Sequence, residues 1–163
     1  MPWSPTGPNL YTARVQLVSG DQIADERDVR FGFRSIRVAG GQLVLNGEAV
    51  YLTGFNRHED APGRDMATDL ETARRDLVAM VEAGANFVRL CHYPHHPGEV
   101  DLCDELGLLA MCEIPLYWWN GYAEGETHCR EKLAAAKRQL RALIRRDAHH
   151  PSVIFWSVSN ETD

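Results

Sequence analysis

Residues 150–161 read HPSVIFWSVSNE, an apolar run that begins after a proline and closes on an asparagine and a glutamate. Strands that are apolar along nearly their whole length are typical of a parallel sheet buried on both faces. We therefore predict a buried strand at 153–158, with Asn160 and Glu161 at its carboxyl end.

The hundred residues before this run repeat a strand-then-helix order. Further apolar strands are predicted at 50–55, 86–90 and 108–114. Between them, a capping box at 68–71 starts a helix that Gly84 ends, Pro97 opens a short helix, and a long helix stops before Pro151. This order predicts parallel βαβ units. A glycine-rich phosphate loop does not follow the first strand, which disfavours a dinucleotide-binding sheet and favours the first half of a (β/α)8 TIM barrel.

The first forty residues follow a different pattern. Apolar and polar residues alternate around 11–17 and 29–33, and Ser19-Gly20-Asp21 separates the two runs, which predicts antiparallel strands. Asn46-Gly47 lies between two further apolar runs and suits a hairpin with a type I′ turn. The chain is therefore an α/β protein with an antiparallel segment before its barrel strands.

Composition narrows the possible functions. The chain has 163 residues, 44% of them hydrophobic, and a net charge of −6 with both signs interspersed. Neither a nucleic-acid partner nor a membrane partner is expected, because no basic surface and no apolar run of about 20 residues is encoded. The four cysteines form no C-x-x-C pair, so we read them as reduced and predict a cytoplasmic location.

Each predicted barrel strand ends in polar residues. The ends read NRHED at 56–60, RLCHYP at 89–94, EIP at 113–115 and SNE at 159–161. The carboxyl ends of barrel strands share one face, where TIM-barrel enzymes carry their active sites. Glu161 follows an apolar strand, so we expect burial to raise its pKa and to keep a proton available for a leaving group. Aromatic side chains on the same face could stack on a sugar ring; they are Tyr93, Tyr117, Trp118, Trp119 and Tyr122.

Four motifs in order resemble glycoside hydrolase family 2, the family of β-galactosidases, β-glucuronidases and β-mannosidases. They are FGFR at 31–34, GFNRHED at 54–60, NFVR at 86–89 with HYP at 92–94, and HPSV at 150–153 leading to WSVSNE at 156–161. The resemblance implies that residues 1–38 are the last strands of an immunoglobulin-like β-sandwich. It implies that residues 39–163 are the first half of the TIM-barrel catalytic domain, truncated after strand four.

The resemblance also implies site roles. Glu161 matches the general acid/base, Asn160 the neighbouring sugar-binding asparagine, and His58, Arg89 and His92 the polar lining of the sugar pocket. The implied reaction is retaining hydrolysis of β-galactosides or β-glucuronides, with mannosides left open, by a parent protein expected to be a homo-oligomer. Its nucleophilic glutamate would lie beyond this chain, so the fragment alone is expected to be inactive. Glu113 is the next candidate for the acid/base.

Two alternatives stay open at this point. The histidines and cysteines could form a zinc site, but their spacings match no usual pattern. The stretch PLYWW at 115–119 stands where large β-galactosidases place magnesium ligands, so we predict no metal and no cofactor. A truncated half barrel with a pocket and no nucleophile could also bind carbohydrate without cleaving it, or be a structural fragment, and the sequence downstream of residue 163 would discriminate between these readings.

Overall fold

A computed structural model describes residues 1–120, 123 and 125–162, and over this range the chain forms nine strands and three helices. The strands are β1 (Tyr11–Ser19), β2 (Gln22–Phe31), β3 (Ile36–Ala39), β4 (Gln42–Leu45), β5 (Glu48–Val50), β6 (Gly54–Arg57), β7 (Phe87–Leu90), β8 (Leu109–Glu113) and β9 (Val153–Ser157). The helices are α1 (Leu70–Glu82), α2 (Pro97–Leu106) and α3 (Glu126–Asp147).

The second part of the chain forms a parallel sheet in the order β6-β7-β8-β9, and helices separate its strands in sequence. Neighbouring strands pair in parallel, with Asn56 opposite Arg89 and Arg89 opposite Met111. The main core lies between this sheet and the helices, and Leu77, Val88 and Val100 are fully buried in it. The predicted first half of a TIM barrel is confirmed, and the strand ends lie at one edge of the sheet.

The first fifty residues form antiparallel pairs, as predicted. β1 pairs with β2, while β3, β4 and β5 form a separate small sheet. Asn46 and Gly47 join β4 to β5 with φ of 52° and 94°. Both angles are positive, as a type I′ turn requires, and asparagine and glycine tolerate them at the lowest cost.

Three predictions about local structure were wrong. The first barrel strand begins at Gly54, because Val50 pairs with Leu43 in the small sheet instead. The cap of α1 is Asp69, whose carboxylate accepts the Thr72 N–H at 2.8 Å, and not a box opened by Thr68. The sheet is also not buried throughout: on the outer strands, Phe55 and Phe155 expose 49% and 37% of their surface.

A buried polar seam joins the amino-terminal segment to the barrel strands. Trp3 is fully buried, and its indole N–H donates to the backbone oxygen of Asp104 at 2.9 Å. The Asp104 carboxylate contacts the His150 ring nitrogen at 2.6 Å and accepts the Ser152 N–H at 3.0 Å. One residue at the end of α2 thus holds both the amino terminus and the loop that leads into β9.

None of the described helices combines the length and the apolarity that crossing a membrane requires. Cys91, Cys103 and Cys112 are buried free thiols, and Cys129 is partly exposed.

Candidate active site

Glu113 lies at the centre of the strand ends. It is fully buried at the end of β8, and its carboxylate accepts bonds from Arg89 at 2.7 Å and from the Ser157 hydroxyl at 2.6 Å. A ring nitrogen of His92 lies 2.6 Å from its other oxygen. These partners come from the ends of β7 and β9 or just beyond, so one carboxylate connects three neighbouring strands.

The surroundings of Glu113 make it a stable anion. Burial alone would raise the pKa of this carboxyl group, but bonds from Ser157, Arg89 and His92 outweigh burial and hold the pKa below its ordinary value. A carboxylate that remains ionised and fully bonded is a poor proton donor. The geometry therefore disfavours Glu113 as the alternative general acid and gives it the task of orienting Arg89 and His92.

Arg89 extends this network to the end of the chain's last described strand. Its guanidinium donates to Glu113 and, at 2.8 Å, to the Oδ1 atom of Asn160. That bond fixes the orientation of the Asn160 amide, so its NH₂ group is the part that offers hydrogens to a hydroxyl acceptor. Arg89 and Asn160, two of the predicted site residues, are therefore in direct contact.

Glu161 lies beside Asn160 in an unusual local conformation. Its φ is 48°, and its Oε2 atom accepts the indole N–H of Trp118 at 2.6 Å. Trp118 also has a positive φ, 50°, and its backbone N–H donates to the Asn160 oxygen at 3.1 Å. Bulky residues rarely adopt this conformation, and such strain concentrates at functional sites. Glu161 is exposed in the structure, so the burial predicted for it was wrong.

His58 and His92 face each other across the ends of β6 and β7. Their ring centroids are 5.1 Å apart in an edge-to-face arrangement. The Tyr93 hydroxyl lies 3.4 Å from His58 Nδ1 and accepts the backbone N–H of Glu59 at 3.0 Å. Contacts thus run without a break from His58 through His92 and Arg89 to Asn160, and the structure brings all five predicted site residues to one edge of the sheet.

Behind these residues lies an ionic network that the sequence analysis missed. Arg57 is buried and donates to Glu99 at 2.7 Å and to Asp76 at 3.1 Å. Glu99 also contacts His95 at 2.9 Å, and the second ring nitrogen of His95 lies 3.1 Å from the backbone oxygen of Cys91. The network therefore supports the backbone just before His92. The available signal was the arginine of NRHED, a charged residue directly after an apolar strand. Its partners lie too far along the chain to be paired by spacing.

Some of the predicted aromatic side chains also surround the site. Tyr93 stacks on His95 with centroids 5.1 Å apart, and Tyr117 approaches His92 at 6.4 Å. Trp118 is 75% exposed beside Glu161. Trp119 instead lines an apolar cavity against α3, and Tyr122 lies outside the described residues.

The fold and the site together define a class, that of TIM-barrel proteins with histidine, arginine and carboxylate side chains gathered at the carboxyl ends of the strands. Residues 36–163 match the model of the glycosyl hydrolases family 2 TIM barrel domain, and residues 1–34 match a second model of glycosyl hydrolases family 2. The chain belongs to glycosyl hydrolases family 2, which confirms the resemblance found in the sequence.

Known relatives agree with this assignment. The chain is 39% identical over 160 residues to a putative beta-glucuronidase of Formosa agariphila, covering 98% of this chain and 19% of that protein. It is 35% identical over 162 residues to a beta-galactosidase of Psychromonas ingrahamii, covering 98% and 16%. The chain therefore spans less than a fifth of the length of these two relatives.

Solved structures show the same architecture. A beta-glucuronidase from Ruminococcus gnavus, in complex with C6-substituted uronic isofagomine, superposes with a TM-score of 0.93 at 31% identity, covering 100% of this chain and 28% of that one. Beta-glucuronidase 3 of Bacteroides uniformis superposes with a TM-score of 0.86 at 38% identity, covering 98% and 20%.

Proposed function

We propose that this chain is part of a retaining β-glycoside hydrolase that acts on β-glucuronides or β-galactosides, with Glu161 as its general acid/base. The observation that carries the proposal is the position of Glu161 directly after Asn160, just beyond β9, where Asn160 belongs to the network of Arg89, His92 and Glu113. Retaining glycosidases need one carboxyl group that first gives a proton to the leaving oxygen and later takes one from water.

The other site residues fit sugar binding. Asn160 has amide hydrogens to offer a sugar hydroxyl, and His58, Arg89 and His92 supply ring and guanidinium nitrogens of the kind that bind sugar hydroxyls. Glu113 orients Arg89 and His92 through its bonds of 2.7 and 2.6 Å. The reaction also needs a nucleophilic carboxylate about 5–5.5 Å from the acid/base, and we place it in a part of the parent protein outside these 163 residues.

Features of the parent protein complete the proposal. Its sandwich domain would end at residue 38 and its barrel domain would begin at residue 39. The buried free thiols of Cys91, Cys103 and Cys112 favour a reducing, cytoplasmic location. The parent would assemble from identical subunits, which light scattering of the whole protein would test.

The central experiment is Glu161→Gln in the longer protein that contains this chain. Glycosides with poor leaving groups should lose about 10²–10⁴-fold in kcat/KM, because the departing oxygen then receives no proton, while activated aryl glycosides should lose far less. With activated substrates the glycosyl-enzyme should accumulate, and azide should restore turnover because it attacks without a base. Glu126→Gln, a change of the same kind at an exposed position on α3, serves as the control and should leave both rates unchanged.

Two results would contradict the proposal. Equal losses with good and poor leaving groups, together with no rescue by azide, would remove Glu161 from the acid/base role. A wild-type parent that binds β-glycosides and cleaves none would favour the alternative of a non-catalytic carbohydrate-binding half barrel.

A further inference from the structure

Three side chains with metal-binding atoms meet just beyond the ends of β6 and β7. His58 follows β6, whereas Cys91 and His92 follow β7, and one ligand atom from each lies within 4.8 Å of the others. Cys91 is buried, His92 is partly exposed and His58 is exposed, and the Cys91 thiol donates to the Arg57 backbone oxygen at 3.4 Å. Sequence spacing could not reveal this trio, because its members come from different strands.

We propose that His58, Cys91 and His92 bind a thiophilic divalent cation, with Zn²⁺ as the cation that fits best. Zinc prefers thiolate and imidazole ligands, and three protein ligands plus water make a common open site. Glu113 adds a second argument, since its carboxylate lies 2.6 Å from His92 Nδ1. Histidine ligands of metals usually hold a carboxylate on their other ring nitrogen, which fixes the ring and makes the ligating nitrogen more basic.

Two other clusters of potential ligands in the described residues fit a cation less well. In the Glu59–His95–Glu99 group, the Arg57 guanidinium already binds Glu99 at 2.7 Å. In the Asp101–Asp104–His150 group, Arg30 binds Asp101 at 3.0 Å.

A guanidinium also lies beside the proposed site, but a carboxylate balances its charge. Arg89 lies 3.2 Å from His92 Nδ1, and Glu113 binds Arg89 at 2.7 Å. The proposed site is also the one of the three groups that offers a sulfur ligand.

Binding is a ligand exchange without electron transfer. The Cys91 thiol gives up its hydrogen bond to the Arg57 backbone oxygen and releases one proton to solvent, and its sulfur replaces one water of the hydrated Zn²⁺ ion. The two imidazoles bind as neutral ligands and replace two more waters. Because His58 and His92 are the proposed sugar-pocket residues, a bound Zn²⁺ ion and a bound sugar would exclude each other. This competition rests on the proposed function, whereas binding of the metal itself does not.

The experiment measures Zn²⁺ affinity of the protein that contains the full chain, by competition with a chromophoric chelator. Cys91→Ser and His58→Gln should each weaken binding at least 10–100-fold, the loss found even for residues that only support a ligand. Cys112→Ser is the matched control, because Cys112 is also buried and lies on β8 outside the trio. Co²⁺ should give a thiolate charge-transfer absorption band that Cys91→Ser abolishes and Cys112→Ser retains.

Unchanged affinity in both Cys91→Ser and His58→Gln would overturn the proposal, and a loss in His150→Gln instead would move the site to the Asp101 group. His58 is exposed, so His58→Gln tests the site even where Cys91→Ser fails to fold. In the active parent, Zn²⁺ should inhibit competitively. Tight binding at this trio without inhibition would retain the metal site and count against the proposed sugar pocket.

Discussion

Glu99 illustrates how a single buried side chain supports the candidate site from behind. Together with Asp76 it pairs with Arg57, which is 3% exposed, and it holds His95 against the backbone of Cys91. Removing one partner of a buried ion pair leaves the other charge desolvated, and this is more costly than losing an exposed pair.

We expect Glu99→Gln to lower the free energy of unfolding by about 3–5 kcal/mol, because Arg57 would lose its buried partner. Urea denaturation at pH 7 measures the loss. Glu126→Gln, which removes an exposed partner of Arg130, should change stability by less than about 1 kcal/mol. Equal effects of the two substitutions would contradict the assigned role of the Arg57 network.

The same carboxylate predicts a pH dependence. Burial would raise the pKa of Glu99, but contacts with His95 and Arg57 outweigh it and lower the pKa below its ordinary value. The stabilisation by Glu99 is therefore complete above the unfolded pKa of about 4.3 and is lost as the pH falls through the lower folded pKa. The stability difference between wild type and Glu99→Gln should be constant from pH 6 to 7 and shrink below about pH 4. A difference that grows on acidification would reverse this assignment.

Trp118 supports a prediction about the reacting carboxylate itself, which rests on the proposed function. Trp118→Phe keeps an aromatic ring and removes the N–H that donates to Glu161 at 2.6 Å. We expect kcat for poor leaving groups to fall up to about tenfold, equivalent to about 1.4 kcal/mol, with little change in KM. Trp118→Ala removes both the N–H and the ring, so its comparison with Trp118→Phe separates the two contributions. A KM effect in Trp118→Phe without a kcat effect would assign the indole to substrate binding.

At the scale of elements, the sequence predicted most of the architecture, because hydrophobic periodicity and the prolines and glycines at helix ends are local signals. Pro97 and Gly107 bound α2, and Gly84 follows α1, as the sequence indicated. The first barrel strand was predicted to begin at Val50 for a physical reason: a short apolar run suits an antiparallel or a parallel strand equally. Pairing with Leu43 places Val50 in the small antiparallel sheet instead.

Gly107 combines a left-handed backbone with close packing, which makes it a sharp test of how α2 ends. Its φ is 73°, and an added Cβ would lie 2.3 Å from the Pro5 oxygen. Gly84 has a φ of 89° with open space around it, so Gly84→Ala reports backbone strain alone. We expect Gly84→Ala to cost about 1 kcal/mol and Gly107→Ala about 1–3 kcal/mol more, measured by urea denaturation. Equal costs would show that Pro5 moves away without penalty.

At the scale of the whole molecule, the family could be predicted from the sequence, but the contacts among the predicted site residues could not. Asn160, His58, Arg89 and His92 were identified from motifs, and the structure brings them together. The sequence offered no means of seeing that Glu113 joins Arg89 to His92, or that Trp118 bonds Glu161, because these contacts depend on the register of neighbouring strands.

One prediction rests on the proposed function: the 163-residue chain alone should show no turnover of aryl β-glycosides, because an acid/base Glu161 also needs a nucleophilic carboxylate and no carboxylate in this sequence matches one. It should also associate, since β6 and β9 form the sheet edges in the described residues and carry the exposed Phe55 and Phe155. Chromogenic assays and light scattering measure the two properties. Turnover by this chain, or a monomer that unfolds cooperatively, would contradict the respective expectation.

The strand order β6-β7-β8-β9 follows the order of the chain, so each barrel strand pairs with the one synthesised just before it. Chains fold from the amino terminus as they leave the ribosome. The sheet can therefore grow by one strand at a time during translation, with each helix covering the strand already formed. The seam at Asp104 is an exception, because His150 and Ser152 reach it from far along the chain. Trp3 can bond the Asp104 backbone oxygen once α2 has formed, whereas the Asp104 carboxylate gains His150 and Ser152 only when the segment that leads into β9 has been synthesised.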